Sequence, residues 1–185
     1  MTFLQRRCTL MALSMALSLA LAATSALADD VMILWPAGWD VEALPAQQGD
    51  GQPSVNRQRA SKNDDNGDPQ MVVELTRTTL QPGHQVNLQA VLLEMRKAVQ
   101  VNFSHGGYQS VCTKVHEGTL GDIPSVESTC QIILNGGHVM TQTLVTASTP
   151  GTAYSLSYAG SAQGYKDNEA QVKGIRDGLK LQAAP

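Results

Sequence analysis

The sequence predicts an α+β fold: an antiparallel sheet of six or seven strands, with one helix inserted midway and one closing the chain. Three observations predict it. Runs of strand length recur from Trp39 onward, many alternating apolar and polar, and the later ones are separated by connections short enough to force antiparallel neighbours. One stripe at helical spacing, Leu88, Val91, Leu92, Met95 and Val99, interrupts these runs. A second stripe, Val172, Ile175 and Leu179, follows the last of them.

Residues 1–28 stand apart as an export signal. Arg6 and Arg7 form a positive start, Thr9 to Ala23 is apolar, and Ser25-Ala26-Leu27-Ala28 supplies small residues ahead of a cleavage point between Ala28 and Asp29. The apolar run is shorter than the roughly 20 residues a membrane span needs. Gln5 and Thr9 fit the twin-arginine pattern poorly, so general secretion is expected. Cys8 lies beside the arginines, before the apolar run, and is no lipid-attachment site. The expected product is one periplasmic or secreted domain, residues 29–185, with no membrane span once the signal is removed.

Removing 28 residues from 185 leaves 157, enough for a single core. Arg6 and Arg7 leave with the signal, so 11 basic residues face 16 acidic ones, a net charge of −5. That balance gives no footprint for nucleic acid or an anionic membrane surface. Aromatic residues make up only 4% of the chain, so the core must be mostly aliphatic.

Along the chain, Val31 to Trp35 is apolar and Trp39 to Leu44 alternates, with a turn or bulge at Pro36-Ala37-Gly38. Ala46 to Pro53 reads as a polar linker. Val55–Lys62 and Gln70–Thr78 form a strand pair about Asn63–Pro69, where Asn66-Gly67 tolerates positive φ. Met71, Val73 and Leu75 share one face. Asn87 caps a helix running to about Asn102. Four strands follow, about 109–117, 125–134, 138–147 and 152–159, separated by 118–124, Asn135-Gly136-Gly137 and 148–151. Tyr154, Leu156 and Tyr158 share a face of the last. The closing helix is expected over Asn168–Leu181. Gly174 and Gly178 inside it suggest close approach to the sheet.

Cys112 and Cys130 are the two cysteines of the mature chain. If 118–124 is a hairpin loop centred on Gly121, residues whose numbers sum to 242 face each other, and this pair does. Facing residues lie about 4.5–5.5 Å apart at Cα, within disulfide range, and closing such a loop is worth about 3 kcal/mol. The spacing is not that of a redox-active C-x-x-C pair.

The acidic run Asp64–Asp68 does not fit a calcium loop, because Pro69 and Leu75 occupy the places of the required glycine and glutamate. A transition-metal site would need His105, His116 and His138 to converge in space. No elbow around a nucleophilic serine and no phosphate-cradling glycine motif is present, so no catalytic, cofactor or metal residue is assigned. Asp40, Glu42 and Glu74 sit on strands as charged outer-face residues. Two sets are candidates for ligand contact. Trp35 and Trp39 could stack on a sugar or aromatic ligand, although core filling is the simpler role. Arg57 and Arg59 alternate on one strand and could meet an anion.

Several segments resemble a family of small exported Gram-negative bacterial proteins classed as a domain of unknown function: the Trp35-Pro36-Ala37-Gly38-Trp39 opening, Asn56–Ala60, Met71–Thr76, Leu92–Val99, Gln109–Cys112, Asn135–Val139 and Leu156–Ser161. A looser likeness, on Pro36-Ala37-Gly38-Trp39, the element order and the final helix, is to the PsbP-like α/β/α sandwich. That resemblance implies a non-catalytic accessory or binding module whose partner is a periplasmic protein or a small ligand. The alternative is an exported hydrolase or metal-dependent enzyme whose site forms only in three dimensions.

Overall fold

The computed structural model describes residues 31–47 and 53–181. The export signal and its Ala28/Asp29 cleavage point lie outside the described residues. The elements are β1 (Val31–Met32), β2 (Asp40–Gln47), β3 (Val55–Asn63), β4 (Pro69–Thr79), α1 (Leu88–Ser104), β5 (Gln109–Cys112), β6 (His116–Leu120), β7 (Ile123–Leu134), β8 (Gly137–Thr149), β9 (Thr152–Ser161), α2 (Ala162–Gly178) and β10 (Lys180–Leu181). The sheet runs β2-β3-β4-β9-β8-β7-β5, with β6 also on the outer edge of β7, and every pairing is antiparallel. Two meanders therefore meet at the β4–β9 seam, and α1 is the connection between them. No helix among the described residues is long and apolar enough to cross a membrane.

The helices take opposite faces, giving an α/β/α sandwich. On β8 the alternation places Leu144 in the α1 core with Leu92, Val99, Cys130 and Ile132. Its neighbour Val145 joins the α2 core with Val73, Leu75, Tyr154, Leu156, Val172 and Ile175. A one-residue step changes face because the strand period is two. α1 covers β5, β7 and β8, and among the described residues no helix covers the same face of β2, β3, β4 and β9.

α1 begins where Asn87 accepts from the Ala90 amide at 3.0 Å, as the capping residue suggests. Its buried line is Leu92 and Val99, with Met95 and Phe103 packed beside them, while Val91 is 41% exposed. α2 begins six residues earlier than expected. Ser161 ends β9 and caps α2 directly, accepting from the Gly164 amide at 2.9 Å. The glycines that permit this close approach are Gly160 and Gly164, where a Cβ would lie 2.4 Å from the Gln70 carbonyl oxygen. Gly174 and Gly178 have open space instead. α2 also ends early. Leu179 turns extended, and β10 pairs with β1, Val31 opposite Leu181, in place of a last helical turn.

The expected strand over 109–117 is two strands, and the expected loop 118–124 is mostly strand. Cys112 faces Cys130, but His116 faces Glu127, so residues 113–115 stand opposite 128–129: a bulge of one extra residue. Thr113 holds the break, its amide donating to Thr129 O at 2.8 Å and its Oγ1 accepting from the Thr129 amide at 3.0 Å. β6 and β7 then run to a two-residue turn, Gly121-Asp122, with Gly121 at φ 58°. Gly118 is thus a strand residue. In the 63–69 turn only Gly67 takes positive φ (88°), and Asp64 accepts from the amides of Asn66 and Asp68 at 2.9 Å each.

Candidate functional site

A recess of about 440 Å³ opens between α2 and the β6–β7 corner. α2 contributes Tyr165, Glu169, Val172, Lys173, Arg176 and Asp177, which fall on one flank at successive turns. Glu127 and Thr129 rise from β7 and Tyr158 from β9, on the sheet face that α2 covers, while Gly118 and Thr119 form the opposite rim. The sheet alternation selects Glu127 and Thr129 for this face, just as it selects Ser128 and Cys130 for the other.

The deepest charges form one ion pair, Arg176 with Glu127, whose side chains are only 13% and 16% exposed. Burial by itself would lower the guanidinium's pKa. The hydrogen bond and charge of Glu127 outweigh that effect and hold it above its ordinary value. Arg176 Nε also donates to Thr119 O at 2.7 Å, and the Gly121 amide donates to Arg176 O at 2.9 Å. One residue thereby ties the hairpin tip to the last turn of the helix. Gly118 makes room for it: a Cβ there would stand 2.7 Å from Glu127 Oε2 and 2.8 Å from Arg176 Nη2. His116 Nε2 lies 3.0 Å from Glu127 Oε1, with Nδ1 3.2 Å from Lys114 O. Arg176 and His116 thus hold the Glu127 carboxylate from two sides.

Beside this pair the Tyr158 and Tyr165 rings stack, centroids 5.8 Å apart and planes at 22°. Tyr165 Oη lies 2.6 Å from Thr143 Oγ1, which lies 2.7 Å from Thr129 Oγ1. Burial first, and then the neighbouring Tyr158, push the Tyr165 phenol well above its ordinary pKa, so it stays protonated within this hydroxyl chain. The arrangement offers an aromatic face, hydroxyls and fixed charges of both signs to a bound group.

The residues singled out from sequence lie elsewhere. Trp39 is 8% exposed beneath α2, its Nε1 donating to Gln171 Oε1 at 2.9 Å, and Trp35 packs half-buried against the same core. Arg57 and Arg59 project from the opposite face, on the part that no helix among the described residues covers. Arg59 Nη2 meets Glu74 Oε2 at 2.9 Å and Nη1 meets Glu42 Oε1 at 3.5 Å, while Arg57 lies 3.8 Å from Glu74 Oε1. Lys62 points the other way, to Gln171. Cys112 and Cys130 are bridged, S–S 2.08 Å and Cα–Cα 3.9 Å. His105 ends α1, and His138 Nε2 sits 2.9 Å from both Met140 O and Thr141 Oγ1. Among the described residues no three His, Cys, Asp or Glu side chains group to hold a metal ion.

Of the recess lining, sequence reasoning singled out Tyr158 and Val172 only as strand-face and helix-stripe residues, and it named His116, which lies against Glu127, only as a metal candidate. Tyr165 fell outside a helix expected to start at Asn168, so the line Tyr165–Glu169–Lys173–Arg176 was invisible. The strand-to-helix switch at Ser161 was the missing signal.

The fold is PsbP-like. The chain is similar to the solution structure of cyanobacterial PsbP (CyanoP) from Synechocystis sp. PCC 6803, with TM-score 0.58 and 9% identity over 83% of this chain and 88% of that one. It is also similar to a crystal structure from Bacteroides thetaiotaomicron VPI-5482, with TM-score 0.51 and 11% identity over 83% of this chain and 45% of that one. The sequence matches no curated protein. A family model described as Domain of unknown function (DUF4946) matches residues 30–181, and the chain belongs to that family.

Proposed function

We propose that this protein is an exported, disulfide-stapled accessory or binding module of the periplasm, and that it meets its ligand or partner at the recess between α2 and the β6–β7 corner. The observation that carries this reading is the recess itself. Its volume is in the range that encloses small ligands, and its lining combines an aromatic pair with fixed, mutually held charges. The features at 1–28 and a cysteine pair bridged between edge and inner strands suit an oxidising compartment.

The test is capture from a periplasmic extract by the mature protein, with mass-spectrometric identification, beside a Lys173→Trp variant that fills the recess from an exposed position on α2. Capture lost in the variant supports the recess as the contact. Capture unchanged in a folded Lys173→Trp protein removes the recess from the proposal. N-terminal sequencing of the exported protein should begin at Asp29.

A further inference from the structure

The geometry points to a small organic cation bearing a primary ammonium group as the ligand of the recess, an inference that rests on the recess being the binding site. Three separate features carry it. The first is charge. Of the five ionised residues lining the recess, Arg176 is held by Glu127 and Lys173 Nζ by Asp177 Oδ2 at 2.6 Å. Glu169 has no partner among the described residues. Three carboxylates thus face two cations in the lining, and Glu169 is the carboxylate left over from the two ion pairs.

The second feature is the aromatic surface. Glu169 lies one helical turn from Tyr165, so its carboxylate stands beside the stacked Tyr158–Tyr165 pair. A cation within about 6 Å of a tyrosine ring face is attracted by the ring quadrupole, and an adjoining carboxylate adds direct Coulomb attraction. An anion would instead have to displace Glu127 from Arg176 at the bottom of the recess. The third is size. About 440 Å³ suits a diamine or an amino-sugar-sized molecule, and the hydroxyls of Thr129 and the tyrosines can accept from an ammonium group.

Titration of the mature, oxidised protein with putrescine, followed by tyrosine ring-proton NMR, tests this. Saturable shifts at Tyr158 and Tyr165 are expected, weakened at least tenfold in Glu169→Gln, a change at an exposed position that leaves the fold intact by circular dichroism. An Ala-Lys-Ala tripeptide run in parallel separates a free amine from a lysine side chain as the source of the ammonium group, and 1,4-butanediol should not bind. Shifts produced by acetate or phosphate and not by either amine would overturn the cation and leave the binding-module reading standing. Putrescine binding unchanged in Glu169→Gln would also overturn the assignment. No shift with any probe would remove both the cation and the recess as a small-ligand site.

Discussion

Trp39 has one polar atom to place in an otherwise apolar position, and Gln171 accepts from it while also accepting from Lys62 Nζ at 3.2 Å. Trp39→Ala should cost about 3–5 kcal/mol in urea denaturation, because a large aromatic cavity opens between sheet and helix. Its ring was legible in sequence as core filler because the chain has so few aromatics. Gln171 was not, since a glutamine on a helix carries no sign of its partner. Tyr165 and Thr143 obey a similar logic. Thr143 is 1% exposed between two hydroxyls, and Thr143→Val should cost about 1–3 kcal/mol by stranding both. The raised phenol of Tyr165 gives a pH signature. Between the unfolded value of about 10 and the higher folded value, the unfolded chain binds fewer protons, so stability falls as pH rises. The slope approaches about 1.4 kcal/mol per pH unit for one group, and Tyr165→Phe should remove that part of the alkaline slope.

At the scale of elements, α2 contains glycines of opposite meaning. Gly174→Ala meets no atom within 4 Å and should stabilise the protein by roughly 0.5–1 kcal/mol through helix propensity. Gly164→Ala would drive its Cβ against Gln70 O and should destabilise it, with thermal midpoints moving in opposite directions. Sequence reading located glycines in the helix but assigned the close contact to the wrong pair, because nothing local distinguishes a glycine facing a carbonyl from one facing water. Strand alternation was far more legible. Met71, Val73 and Leu75 on one side of β4, and Tyr154 and Leu156 on one side of β9, follow from period two alone. The bulge at 113–115 was hidden, since an extra residue in an edge strand leaves no change in composition. The Cys112–Cys130 bridge spans 18 residues and joins edge to inner strand on the β5 side of that bulge. Replacing both cysteines with alanine should cost about 3 kcal/mol, read as a lower denaturation midpoint that reductant no longer changes.

For the whole molecule, the sandwich follows from two amphipathic helices meeting one alternating sheet, and that much the residue pattern carried. Which half of each face the helices cover did not follow, because it depends on the β4–β9 seam, a pairing between strands about 80 residues apart. The recess owes its position to that seam as well: Tyr158 stands on β9, and Glu127 two strands away on β7.

The pairing of β1 with β10 and the bond from Trp39 to Gln171, 132 residues later in the chain, set an order of events in time. A chain that emerges N-terminus first offers Trp35 and Trp39 before the helix that shelters them exists. The first strand then waits for the last segment, and closing so long a loop carries an entropic cost that only the completed core offsets. Tryptophan emission makes this measurable. A chain ending at Ser161 should keep solvent-exposed emission, and the shift to the buried spectrum should appear only once α2 and Leu181 are present. A buried spectrum in the shorter chain would show that the opening segment finds its place without the closing one.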